Sequence, residues 1–146
     1  MTRDVQITFD CADPARLAAF WAAALGYEVQ PPPAGFDSWD AALQAWGVPR
    51  DQWNSRSALL PVEGSGPRVF FQRVPEGKTV KNRVHLDVRA APGLEGGDRM
   101  GVLETEATRL ESFGATRAYR VGPNRAAMEA GFITMHDPEG NEFCLD

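Results

Sequence analysis

Two short stretches hold most of the residues that could do chemistry. In "NRVHLDV", His85 and Asp87 are two positions apart, so a strand aims both to one side, opposite Val84, Leu86 and Val88. A carboxylate beside an imidazole can orient or charge it, which suits a metal ligand, a general acid or base, or a hydrogen-bonding group for a ligand. In "GNEFCLD", Glu142 and Cys144 share one side and Phe143 and Leu145 the other. Two readings of Cys144 stand: a small packed thiol, or a thiol turned into a functional cavity. A nucleophilic cysteine needs a nearby base, and His85, from the same half of the chain, is the candidate. Glu142 is either a rim residue beside the preceding turn or a carboxylate available to a cation.

The elements that must position these residues are readable from hydrophobic periodicity. "DVQITFD" alternates, with Val5, Ile7 and Phe9 opposite Gln6, Thr8 and Asp10, which predicts a half-buried strand. Asp13 and Pro14 are a cap and first residue for a helix whose Leu17, Phe20, Trp21, Ala24 and Leu25 recur at helical spacing, with Gly26 as its stop. "PPPAG" is a stiff break, and "DSWDAALQAWGV" predicts a short helix with Trp39, Leu43 and Trp46 on one face. "SALLPV" and "RVFFQRV" predict strands. "NRVHLDV" is followed by a helix from about Arg99 to Phe113, whose apolar positions are Met100, Leu103, Ala107, Leu110 and Phe113, and then by strands in "ATRAYRV", "GFITMHD" and "NEFCLD". "DPEGN" reads as a turn: Asp bonds backbone, Pro fixes φ and Gly permits positive φ.

The two halves repeat. Each reads strand, helix, strand, strand, strand, and "SALLPVEGSGPRVFFQ" lies against "FITMHDPEGNEFCL". The fold class is therefore α+β: two βαβββ units pairing into a curved mixed sheet around a shared cavity, with an inserted helical segment in the first. The chain, residues 1–146, is read as a single domain, with unit one about 1–75, its insertion about 34–57, and unit two about 80–146. Trp39 and Trp53 of the insertion either anchor it to the body or form a lid that offers flat apolar contact to a ligand.

These stretches resemble the vicinal oxygen chelate superfamily, which includes glyoxalase I, extradiol dioxygenases and bleomycin- or fosfomycin-resistance proteins. The resemblance is carried by "DPARLAAFWAAALGYEV", "GPRVFFQRVPEGKTVKNRVHLDV", "RLESFGATRA" and "DPEGNEF", and it narrows to the glyoxalase-like domain proteins of bacteria. It implies that ligands for a metal come from the first and last strands of each unit. On this chain those positions fall on Gln6, His85 and Cys144, with the remaining one in "VFFQ", at Gln72 as the polar choice over Phe70. Metal-dependent members usually carry a Glu where Cys144 stands. A set of amides, imidazole and thiol lacks carboxylates for a hard cation, although a deprotonated Cys is a good zinc ligand. The resemblance thus implies a cavity holding no metal or a weakly bound divalent one, such as zinc, manganese, nickel or iron.

Two function classes follow. One is a glyoxalase-like protein that binds a small organic ligand through His85, Gln6, Gln72, Asp87, Glu142, Cys144, Trp39 and Trp53. The other is a metal-dependent lyase, isomerase or dioxygenase, with Gln6, His85 and Cys144 as ligands. A net charge of −5 and the lack of a basic cluster beyond the short "KTVKNR" argue against a nucleic-acid partner. No apolar run approaches the roughly 20 residues that span a bilayer, and the first residues have no secretory pattern. Two cysteines make no disulfide framework, so a cytoplasmic protein is expected, with a homodimer as the commonest closed assembly.

Overall fold

The computed structural model describes residues 1–146, and the chain divides into two units, Met1–Gly77 and Lys78–Asp146. The first begins with strand β1 (Gln6–Cys11), where Ile7 and Phe9 face inward between exposed Gln6, Thr8 and Asp10. Asp13 then caps helix α1 (Pro14–Leu25): its Oδ1 accepts the Arg16 amide at 3.2 Å, satisfying an orphan N–H of the first turn. The helix stops at Gly26, whose φ of 67° is the left-handed conformation that a residue with a Cβ resists. Strand β2 (Tyr27–Val29), helix α2 (Trp39–Ala45), β3 (Arg56–Pro61) and β4 (Arg68–Arg73) complete the unit.

The second unit repeats this path with β5 (Asp87–Val88), α3 (Gly96–Glu111), β6 (Thr116–Val121), β7 (Phe132–His136) and β8 (Glu142–Leu145). The strand orders are β1-β4-β3-β2 and β5-β8-β7-β6, which are the same topology. In each unit the first and last strands run parallel and the other neighbours antiparallel. The βαβββ repeat and the mixed sheets expected from the sequence are therefore present.

Helices α1 and α3 each cover one face of their own sheet. In the first unit Leu17, Phe20 and Trp21 pack with Leu59, Val69 and Phe71, all at most 2% exposed. Phe9 joins Trp21 and Phe71 at ring-centroid distances of 5.1 and 5.4 Å. In the second, Met100, Leu103, Ala107 and Leu110 meet Ile133, Met135, Phe143 and Leu145. The opposite sheet faces are left without a helix of their own unit.

Several expectations fail locally. Helix α3 starts at Gly96, earlier than Arg99, and it ends before Phe113, which is 49% exposed. Arg99 is interior: its Nε donates to the Gly131 carbonyl at 3.0 Å and its Nη2 pairs with Asp146. Periodicity missed it because its partner lies 47 residues away. The "NRVHLDV" strand shrinks to Asp87–Val88, and Val84 is 80% exposed. Strand β8 begins only at Glu142, so in this register the residues before His85 have no strand partner, and the Asn82 amide donates to Glu142 Oε2 at 3.0 Å instead. In α2 only Ala42 is fully covered, and Trp46 is 54% exposed, in edge contact with Phe36.

Replacing Arg99 with Ala leaves the Gly131 carbonyl and the Asp146 carboxylate without this partner. We expect a loss of about 3 kcal/mol, the scale for breaking a buried ion pair. Urea titration followed by signals of the second unit should show the lower midpoint.

Candidate functional site

The open face of the second unit gathers the chemistry-bearing residues. Strands β5 and β8 pair in parallel with Asp87 opposite Cys144, and β7 sets Thr134 on the other side of Cys144. His85 lies two residues before Asp87, and its Nε2 is 3.3 Å from Asp87 Oδ1. One ligand atom from each of His85, Asp87 and Cys144 lies within 4.8 Å of the others. Cys144 Sγ is 3.3 Å from Thr134 Oγ1, and Thr134 is 5% exposed. His85 and Asp87 remain open to solvent, with side chains 44% and 50% exposed.

Burial pushes the Cys144 thiol up from its ordinary value of 9.0, and the Asp87 and Asp146 carboxylates add to this against the hydrogen bond with Thr134. The thiol is therefore protonated at neutral pH. As it stands it is a poor nucleophile, and its hydroxyl partner is Thr134. Cys11, the other free cysteine, is buried and contacts the Gln72 carbonyl through its sulfur at 3.5 Å.

Glu142 shares the strand face of Cys144 but turns to a different task. It accepts the Asn82 amide and pairs with Lys78 Nζ at 3.4 Å. Those contacts, led by the Asn82 hydrogen bond, lower its pKa from 4.5 to about 2. It borders a cleft of about 530 Å³, together with Lys78, Lys81, His136 and Glu139. The cleft does not include the His85–Asp87–Cys144 cluster.

In the first unit Gln6 pairs with Arg68 across the parallel ladder, Thr8 with Phe70, and Asp10 with Gln72. Matching the inward pair Phe9–Phe71 to Val88–Leu145 sets Phe70 at the place of Cys144, and Gln72 at the place of Asp146. The polar choice of Gln72 over Phe70 is thus not the one the register supports. Gln72 Nε2 donates to Asp10 Oδ1 at 2.7 Å, just as Arg89 pairs with Asp146 at 2.9 Å. Gln6 is committed as well: its Oε1 accepts Arg68 Nη1 at 2.6 Å. A cation on that oxygen would lie beside a guanidinium, so Gln6 does not fit a metal ligand here.

Two indoles of the insertion, Trp39 and Trp53, are fixed by backbone. Trp39 Nε1 donates to the Gln30 carbonyl at 2.7 Å, and Trp53 Nε1 to the Val48 carbonyl at 2.9 Å, with Arg50 over the Trp53 ring at 4.0 Å. Asn54 ties the end of the insertion to α1 through Asp13 Oδ1 and the Ala15 amide. Sequence reasoning missed Arg68, Thr134 and Lys78. The signal for Thr134 was present, as a lone hydroxyl between Ile133 and Met135 in an apolar strand.

Two outcomes follow from the charges. Alkylation of Cys144 by iodoacetamide should be slower than that of an unhindered thiol at pH 7, and should accelerate as pH rises past 9, as the rate profile would show. Folding lowers the Glu142 pKa from 4.5 to about 2. Its stabilising effect is therefore full above pH 4.5 and is lost as pH falls through about 2. Glu142→Gln should be destabilised at pH 7, by about 1 kcal/mol, and the gap from the parent protein should close as the denaturation series reaches the lowest pH.

Comparison with known proteins agrees with this fold. Among curated protein sequences none matches the chain. Solved structures do match. FosX from Mesorhizobium loti, a fosfomycin resistance protein, aligns at a TM-score of 0.59 and 12% identity, covering 99% of this chain and 90% of that one. A FosX mutant from Listeria monocytogenes, complexed with Mn(II) and 1S,2S-dihydroxypropylphosphonic acid, gives the same values. A glyoxalase/bleomycin resistance protein/dioxygenase family enzyme from Burkholderia phytofirmans aligns at 0.58 and 13% identity, covering 98% and 97%. At such identities these structures speak for the fold alone. The family profile described as "Glyoxalase-like domain" matches residues 6–145, so the chain belongs to the glyoxalase-like domain family.

Proposed function

We propose that this chain is a small-molecule-binding protein of the glyoxalase-like type, with the open face of the second unit's sheet as a binding wall. The observation that carries the reading is the convergence of His85, Asp87 and Cys144 within 4.8 Å on a face that no helix of its own unit covers. Cys144 and Thr134 form the less exposed floor, and His85 and Asp87 the accessible polar edge. Such a surface, with a small thiol–hydroxyl floor and accessible polar groups at its edge, suits a small organic ligand bearing an oxygen function.

A second reading, a metal-dependent lyase, isomerase or dioxygenase, is supported by the donor set. Imidazole nitrogen, carboxylate oxygen and thiolate sulfur are the ligands zinc accepts, and three of them leave a coordination position open. Asp87 supplies a carboxylate that the strand pattern alone did not assign to a metal. His85, Asp87 and Cys144 would hold the ion, and small side-chain rotations would close 4.8 Å to a bonding arrangement. When bound, zinc would supply Lewis-acid polarisation of a substrate oxygen. The raised thiol pKa makes this site weak at low pH, because binding must displace the Cys144 proton.

Both readings are tested on one sample. Zinc at pH 7.5 should protect Cys144 from iodoacetamide, and His85→Ala and Asp87→Ala should each lower zinc affinity by at least tenfold. Absence of protection by zinc, manganese, nickel or iron would remove the metal reading. The binding reading is then examined with a panel of small carbonyl compounds, following the His85 ring and Cys144 amide signals by NMR. A panel that leaves all of those signals unmoved would sink it.

A further inference from the structure

The first unit carries a half-buried positive charge that the chain holds in place but does not neutralise. Arg68 sits on β4, on the sheet face opposite Val69 and Phe71. Its Nη1 donates to Gln6 Oε1 at 2.6 Å and its Nε to Gln30 Oε1 at 2.8 Å. The guanidinium carbon lies 5.2 Å from the centroid of the Phe70 ring. Both acceptors are neutral amide oxygens. None of the chain's ion pairs involves Arg68, whereas Arg99, Arg109 and Arg117 each meet a carboxylate.

The acids along the neighbouring strands do not quench it: Asp4, two residues before Gln6, is exposed and forms no ion pair. Asp10 lies two rows along the ladder, bonded to Gln72. Glu28, paired with Leu60 on β2–β3, is exposed and forms no ion pair. The surface beside the guanidinium is apolar: half-buried Phe70, with Ala58 opposite it on β3, and half-buried Leu60 two residues further along that strand.

We propose that Arg68 anchors a binding site for an organic carboxylate, with Phe70 and Leu60 receiving the ligand's apolar body. Guanidinium has five N–H donors. Gln6 and Gln30 occupy one each, on Nη1 and Nε, so the second Nη1 hydrogen and both Nη2 hydrogens remain. With Gln6 on the Nη1 hydrogen that points away from Nη2, the Nη1–Nη2 edge is a fork that a carboxylate meets with two parallel bonds. The two glutamines and the ring fix the fork beforehand, so little side-chain freedom is lost on binding. This also gives Gln6 a role in place of metal ligation: it positions the arginine. The site is built wholly from the first unit, so it stands or falls separately from the His85–Asp87–Cys144 cluster.

The test uses the full ¹⁵N-labelled chain and benzoate as the probe, with benzamide as its neutral counterpart. Two signals report: the Arg68 Nε–H, and the Trp39 indole N–H, which donates to the Gln30 carbonyl at 2.7 Å. Benzoate should shift both in a saturable way, and benzamide should not. Arg68→Gln should weaken benzoate binding at least tenfold. Arg68→Lys, which keeps the charge and loses the fork, should fall between the two. Gln6→Ala, at an exposed position, should weaken it a few-fold while the spectrum stays dispersed. A non-saturable response to benzoate, equal responses to benzoate and benzamide, or unchanged affinity in Arg68→Gln would each overturn the proposal. Should Arg68→Gln fail to fold, the benzoate–benzamide contrast in the parent chain and the Gln6→Ala affinity still decide.

Discussion

Each unit depends on one constraint: its first and last strands are parallel neighbours, β1 with β4 and β5 with β8. Parallel strands cannot be joined by a tight hairpin, so the chain must leave the sheet and return. The helix that follows the first strand covers one sheet face, and the antiparallel strands bring the chain back to the parallel partner. Burial of Trp21, Phe20 and Phe71 in one unit, and of Leu103, Leu110 and Phe143 in the other, follows from that path. The same path leaves the second face of each sheet uncovered by its own unit, and the polar residues of the parallel pair project there.

The repeat makes the two units alike in backbone and unlike in charge. Position by position, Gln6 and Arg68 correspond to His85 and Glu142, and Thr8 and Phe70 to Asp87 and Cys144. The first face therefore presents a guanidinium over an aromatic ring, and the second an imidazole, a carboxylate and a thiol. Electrostatics separates what these faces can hold. A cation is repelled where Arg68 stands and attracted where Asp87 stands. Glu142 could have added a second carboxylate beside Asp87, but Lys78 and the Asn82 amide engage it at the rim. In both units the row after the central pair is closed by a polar link, Asp10–Gln72 and Arg89–Asp146. The architecture thus repeats even where the chemistry has changed.

The sequence by itself determined the order of elements, the helix caps at Asp13 and Gly26, most inward residues of the long strands and of helices α1 and α3, though not Val5, Val84 or Phe113, which are exposed, and the shared face of His85 with Asp87 and of Glu142 with Cys144. These depend on periodicities of 2 and 3.6 and on local backbone chemistry, which a one-dimensional string records. Only the tertiary structure decided the ladder register that sets Phe70, rather than Gln72, at the position of Cys144. It alone brought Asp87 to Cys144, Thr134 to the thiol, Gln6 and Gln30 to Arg68, and Arg99 to Asp146. It also shortened the strand before Asp87, because the partner strand β8 begins only at Glu142. Each of these pairings joins residues from different elements of the fold. Their selection rests on how side chains from different strands meet, and alternation along any one strand is the same whichever partner lies beside it.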